Sequence, residues 1–285
     1  MTIEIPKYPV FVMCGRDPRR RRLLEAVDPE GKYKSKALLP FLGKRLIDWQ
    51  LEELIKSPFI DGLYLLGLCE EDASFDFNVD YIPMESTTDF GDKLAIGIEY
   101  LESQGHHPDL VVISSCDAPG IRVDEINAFF EKIQEDPGGD AYISLVPEAV
   151  AEAVFPHSGR VVAHFRDCDV FPGELYALSP RVIRDLQRVI GELSLRRRQI
   201  NRQSRKISMG PMLSYIGKRP RTWTLIIKYL MGLASLHDGE SALSASFGVK
   251  VRGVIIPEAG FGMDMDLPED YERLKAYITQ TKMIQ

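Results

Sequence analysis

A cationic stretch, a lone carboxylate and an alternating pair of carboxylates are the residues of this chain best suited to chemistry. The cationic stretch runs from Arg16 to Lys36 and includes Arg19, Arg20, Arg21, Arg22, Lys32 and Lys34. The lone carboxylate is Asp117, in the run Cys116-Asp117-Ala118-Pro119-Gly120. The pair is Asp264 and Asp266, in GFGMDMDLPED near the C-terminus. Clustered guanidinium groups beside exposed backbone N–H groups suit a polyanion such as a triphosphate. Magnesium is bound by one or two carboxylates together with substrate phosphates, so Asp117 and one of the later pair could hold a metal bridging a nucleotide's phosphates. Alternation places Asp264 and Asp266 on one side of an extended segment. Each group also has a plain structural reading. Charge runs are usually solvated. Asp favours turns and helix N-caps, which would account for Asp117 and for Asp266 ahead of the last helix. The three groups occurring together are what favours a site.

The elements that must position these groups follow from hydrophobic periodicity. Pro9 to Cys14 is a short apolar, β-branched run, the pattern of a buried strand. It stops at Gly15-Arg16, where Gly permits a sharp exit. Leu38 and Leu39 return the chain to the core, and Pro40 and Gly43 lead into a helix over Leu46 to Lys56. Further strands are expected at Gly62–Leu68, Asn78–Ile82, Leu110–Ser115 and Ala141–Val146, with helices at Leu94–Leu101 and Val123–Gln134. Strands alternating with helices give an α/β fold with a largely parallel sheet. Ligands of such sheets bind at the carboxyl edge of the strands, the edge where the cationic loop and Asp117 both emerge.

After Val146 the pattern changes. Val161–Phe165 and Glu174–Leu178 read as strands extending the sheet around that edge. Pro180 to Phe247 reads as almost all helix and is expected to be a helical insertion within a single domain spanning 1–285. It carries Arg196, Arg197, Arg198, Arg202, Arg205 and Lys206, then the apolar run TWTLIIKYLMGLASL. The basic residues would suit a phosphorylated acceptor. The apolar ones would suit a lipid-like acceptor, a membrane surface or a partner copy, so a homodimer through this insertion is one option; simple packing on the sheet is another. Val249–Ile256 resumes as a strand and Pro268–Ile278 closes as a helix with Pro at its first position.

Composition narrows the classes. The net charge is −7, so the cationic loop stands against an acidic background and general nucleic-acid binding is disfavoured. Cys14, Cys69, Cys116 and Cys168 are widely spaced with no CxxC pair, which indicates reduced thiols rather than a zinc site or a disulfide framework. No signal-peptide pattern opens the chain, and the longest apolar run, Trp223 to Leu236, is too short for a membrane span. A cytoplasmic location is expected.

Three motifs in this order resemble nucleotidyltransferases with a glycosyltransferase-A-like fold, particularly the molybdenum-cofactor guanylyltransferase-like branch. They are Met13-Cys14-Gly15-Arg16 with Lys36-Ala37-Leu38-Leu39-Pro40, then Cys116-Asp117-Ala118-Pro119, then Asp266-Leu267-Pro268-Glu269-Asp270. The resemblance covers about residues 8 to 150 and 249 to 278. It implies a Rossmann-like three-layer sandwich with a mixed, mostly parallel central sheet. It implies a Mg²⁺-dependent enzyme in which an acceptor phosphate attacks the α-phosphorus of an NTP, CTP or GTP foremost, and pyrophosphate leaves. Arg16, Lys36 and Asp117 would be catalytic. Cys14, Gly15, Arg16, Arg20, Arg21 and Lys36 would bind the phosphates, with Lys36 against the α-phosphate. Asp117 and Asp266 would hold the metal, with Asp264 as second choice. The segment Glu85 to Lys93, through Ser86, Thr87, Gly91 and Lys93, would help bind base and ribose, although it also reads as an ordinary loop with Thr88 or Asp89 capping a helix. The first loop departs from the family's glycine-rich run: a single Gly15 is followed by DPRRRR and a long insertion before Lys36. Two other readings share the fold: a sugar-nucleotide-dependent glycosyltransferase and a non-catalytic nucleotide-binding protein. The first wants an Asp-x-Asp motif after the central strand, and Asp117 is followed by Ala118-Pro119.

Overall fold

The computed structural model describes residues 5–15, 22–85, 87–199 and 222–281. Tyr8–Met13 forms an interior strand, β1, its side chains alternating between two apolar layers. Val10, Val12 and Cys14 face one side and Phe11 the other, as the two-residue period of a strand requires. β1 pairs in parallel with β4 (Ile60–Leu66) on one side and β6 (Val111–Ser115) on the other. β5 (Asp80–Ile82) extends the sheet beyond β4. Beyond β6 lie β9 (Asp169–Leu178), β7 (Ala141–Pro147) and β10 (Val251–Ile255), giving the order β10-β7-β9-β6-β1-β4-β5 with β8 (Ala163–His164) paired to β9. β9 runs antiparallel to β6, β7 and β8, so the eight-stranded sheet is mixed but mostly parallel.

Helices cover both faces. On one, α2 (Leu46–Leu54) and α4 (Val123–Glu135) deliver Ile47, Leu51, Ile126, Phe129 and Phe130 to the main core. On the other, α3 (Phe90–Ser103), α6 (Pro180–Asp185) and α7 (Gln187–Gln199) meet Phe11, Leu66 and Ile113, and α9 (Leu236–Phe247) lies over Val249 and Val251. A third cluster joins α1 (Arg22–Val27), the C-terminal helix α10 (Pro268–Thr281) and Phe41, Trp49, Met263 and Met265. This is the expected three-layer α/β sandwich. All four cysteines are free thiols, and no described helix is long and apolar enough to cross a membrane.

Several elements differ from the sequence reading. α3 begins at Phe90 rather than Leu94, because Asp89 caps it by accepting from the Asp92 N–H at 2.8 Å. Pro40–Phe41 and Lys44–Arg45 form a small hairpin, β2–β3, whose turn residues Leu42 and Gly43 both have positive φ (49° and 86°). A helix, α5 (Glu148–Val154), follows β7 directly. The stretch expected to be almost continuous helix contains α6, α7, α8 (Trp223–Leu230) and α9, with residues 200–221 outside the described set.

Candidate active site

Lys36 is placed by one turn of 3-10 helix, Lys36–Leu38, capped by Ser35. The Ser35 hydroxyl accepts from the Ala37 N–H and donates to the Cys14 carbonyl at 2.6 Å, so the turn is tied to the end of β1. The Cys14 N–H is spent on the Leu66 carbonyl at 3.0 Å, and its thiol is fully buried. Burial, then a hydrogen bond with the Cys116 thiol, pushes the Cys14 thiol well up from its ordinary value. Cys14 therefore anchors the Lys36 turn, and its side chain is turned into the core.

Asp117 lies in the loop after β6, two residues past its last residue, Ser115. Gln50, buried in the middle of α2, fixes that loop. Its amide nitrogen donates to the Ser114 hydroxyl and to the Ser115 carbonyl (2.6 Å), and its oxygen accepts from the Ala118 N–H at 3.3 Å. The Asp117 carbonyl accepts from the Met265 N–H at 2.9 Å, which draws the C-terminal acidic segment alongside. From the first turn of α10 the Asp270 carboxylate reaches back and accepts from the Asp266 and Leu267 N–H groups at 3.2 and 2.9 Å, which fixes the backbone on which Asp266 sits.

The Lys36 ammonium donates to Asp117 Oδ2 at 2.5 Å and to Asp266 Oδ1 at 2.6 Å. Carboxylate oxygens of Asp117, Asp264 and Asp266 all lie within 4.8 Å of one another. Asp264 also pairs with Arg160 at 2.6 Å, both side chains being more than nine-tenths buried. Burial opposes the charge on Lys36, but the carboxylates of Asp117, Asp266 and Asp264 outweigh it and hold the amine well above the ordinary lysine range. The point where Asp117 and Asp266 converge is thus a cation position. Hard oxygen donors at this separation fit Mg²⁺, with the remaining ligands drawn from phosphates and water.

Of the other expected residues, Gly15 and Lys93 meet at the end of β1. The Lys93 ammonium, buried on α3, lies against Gly15, and a side chain on Gly15 would collide with it. Gly67, at φ +107°, faces the Gly15 backbone, where an added Cβ would sit 2.9 Å from the Gly15 Cα. Two glycines thus let the ends of β1 and β4 approach closely. Beside them a cavity of about 180 Å³ is lined by Lys34, Ser35, Gly67, Leu68, Cys69, Asp72, Pro83 and Met84. Thr87 is exposed, whereas Gly91 is buried beneath the Gln187 carbonyl, where it serves the packing of α3 on α7. Arg16, Arg20, Arg21 and Ser86 lie outside the described residues, as do Arg202, Arg205 and Lys206. Arg196, Arg197 and Arg198 fall within α7. Sequence reasoning missed Gln50, Arg160 and the cavity. Gln50 had a signal: it shares the helical face of Ile47, Leu51 and Leu54.

Solved structures share this arrangement of strands and helices. A hypothetical transferase from Thermus thermophilus superposes with a TM-score of 0.71 at 21% identity, covering 93% of this chain and 99% of that one. CMP:2-keto-3-deoxy-manno-octonic acid synthetase complexed with CTP gives 0.58 at 16% identity, covering 96% and 99%. 4-Diphosphocytidyl-2C-methyl-D-erythritol synthase from Anaerococcus prevotii gives 0.52 at 13% identity, covering 96% and 99%. No curated protein is significantly similar in sequence. The family model of the MobA-like NTP transferase domain matches residues 19–206, about two thirds of the chain, running from the cationic loop through the Lys36 turn and Asp117. With that match on top of the fold, the chain belongs to the MobA-like NTP transferase domain family and is a nucleotidyltransferase.

Proposed function

We propose that this protein transfers a nucleoside monophosphate from an NTP to a phosphorylated small molecule and releases pyrophosphate. An acceptor phosphate oxygen attacks the α-phosphorus, the bond from that phosphorus to the bridging α–β oxygen breaks, and its electron pair leaves with pyrophosphate. The observation that carries the reading is Lys36 held between Asp117 and Asp266 at the carboxyl edge of the sheet. Asp117 and Asp266 are the proposed Mg²⁺ ligands, and the metal would supply charge neutralisation at the phosphates. Lys36 faces the α-phosphate and stabilises the charge that develops there. Gly15, Arg16, Arg20, Arg21 and Lys93 form the proposed triphosphate site. The cavity beside Gly67, with Thr87 in the loop that precedes α3, is assigned to base and ribose. Catalysis rests on positioning and electrostatics, with no covalent enzyme intermediate.

CTP is the first candidate donor, since two of the structural relatives are named for cytidylyl products, and GTP is the second. A cytoplasmic enzyme with small-molecule substrates fits a chain with no described membrane-spanning helix. The test supplies Mg²⁺, each NTP in turn and a pool of sugar and polyol phosphates, and measures pyrophosphate. Release that needs both an NTP and a phosphorylated acceptor supports the reading. Absence of release with every NTP, despite a nucleotide-dependent rise in melting temperature, would favour a nucleotide-binding protein without turnover.

A further inference from the structure

α8 is attached to the body by one side and exposed on the other. Tyr229 packs edge-on against Phe165, with ring centroids 5.9 Å apart, and its hydroxyl accepts from the His164 N–H at 3.0 Å. Lys228 pairs at 2.6 Å with Asp238, the residue that closes the capping box of α9. These contacts turn the apolar side of the helix outward, and none of its eight residues is buried. Ile227 is 59% exposed, Leu230 75%, Met231 66% and Leu233 49%, with Trp223 at 60% on the same side. Positions 223, 227, 230 and 231 follow helical spacing, so they form one contiguous stripe. Large apolar side chains grouped in this way on a surface mark an interaction site.

Charge says what that site meets. From Glu192 to Asp238 the intervening sequence carries ten Lys or Arg residues and no acidic residue, in a chain whose net charge is −7. A twofold dimer through this face would bring together two copies of a helix whose immediate sequence neighbours, Arg219 and Arg221, are basic. An apolar stripe within a strongly basic stretch is instead the composition of a helix that lies in the headgroup region of an anionic membrane. We propose that the outward face of α8 docks the protein on an anionic lipid surface. The helix would lie flat, with Ile227, Leu230 and Met231 inserted among the acyl chains. Because α8 is fastened to β8, and β8 pairs with the start of β9, the lipid surface would lie at the sheet edge that carries the candidate active site.

The test uses the full chain with vesicles of phosphatidylcholine, alone or mixed with phosphatidylglycerol. Sedimentation with the mixed vesicles should be roughly tenfold or more above that with neutral ones, and should fall as salt is raised. Ile227→Ser with Leu230→Ser should abolish it while leaving the circular-dichroism melting curve unchanged, since both positions are exposed. A second readout leaves the face intact. The chain has two tryptophans, and Trp49 is buried with its indole N–H on the Phe41 carbonyl. In a Trp49→Phe background, Trp223 emission should shift to the blue on adding the mixed vesicles. Equal sedimentation with both vesicle types, or an unmoved Trp223 spectrum, overturns the proposal. So does a wild-type dimer in lipid-free solution that the serine pair converts to monomer, because the face would then belong to a second copy.

Discussion

The Met265 N–H donates to the Asp117 carbonyl at 2.9 Å, joining the loop after the central strand β6 to a segment near the C-terminus. The bond sets the register in which Asp264 and Asp266 come beside Asp117. Both carboxylates come to the same side of the segment, Asp266 meeting Lys36 and Asp264 meeting Arg160. Two carboxylates of the same short motif therefore have separate work, and substitution should separate them.

Asp117→Asn and Asp266→Asn should leave thermal stability close to wild type and lower kcat for pyrophosphate release by about 10²–10³-fold, the size of effect seen when one electrostatic contact to developing charge is removed. Asp264→Ala should act mainly on stability. It leaves the Arg160 guanidinium buried without its carboxylate, and breaking a buried pair costs about 3–5 kcal/mol. Urea unfolding beside steady-state kinetics checks both. Equal kinetic damage from all three, at unchanged stability, would assign Asp264 to the metal as well.

Lys36→Met should lower turnover more than it weakens nucleotide binding, because the proposed contact strengthens as charge develops at the α-phosphate. The same change removes the cation between Asp117 and Asp266, so their affinity for a divalent ion should rise. Mn²⁺ titration followed by electron paramagnetic resonance reads the second effect directly. Weaker Mn²⁺ binding in the variant would mean that Lys36 supports the carboxylates rather than occupying their cation position.

Much of this site was legible because it sits at strand ends. The β-branched run before Gly15 and the buried run before Asp117 are local patterns, and each delivers its charged residue to the same edge of an α/β sheet. What was not legible depends on partners far away in the chain. The reversed direction of β9 is fixed by pairing with β6 and β7, which no local period encodes. Arg160 lies between α5 and β8 outside any periodic segment, and only the fold brings it to Asp264. The β2–β3 hairpin turns on Leu42-Gly43 instead of the Asn-Gly or Asp-Gly that signals such a turn. Gln50 was readable from its helical phase, but its role needed the loop of Asp117 in view.

Glu125 gives the C-terminal segment a pH-dependent anchor. It lies in the first turn of α4, is 1% exposed, and accepts from the Gly260 N–H at 3.0 Å, while its other carboxyl oxygen is buried with no hydrogen-bond partner among the described residues. Burial, then the nearby charges of Asp124 and Glu258, raise its pKa to about 8, against the lowering effect of the Gly260 hydrogen bond and Arg122. Tyr277 on α10 also faces this group and is itself pushed up to about 12, first by burial and then by Glu125. Between the ordinary value of 4.5 and about 8, the unfolded chain has released the Glu125 proton and the folded chain keeps it. The unfolded state therefore binds fewer protons, and the contribution of Glu125 to stability falls as pH rises through that window, by at most about 1.4 kcal/mol per pH unit. Glu125→Gln keeps an acceptor for Gly260 and cannot ionise. Its unfolding free energy should decline less than wild type from pH 5 to pH 8, and the two curves should diverge most at the upper end. Urea unfolding at a series of pH values measures this, and parallel curves for the two proteins would show that Glu125 is already ionised in the fold.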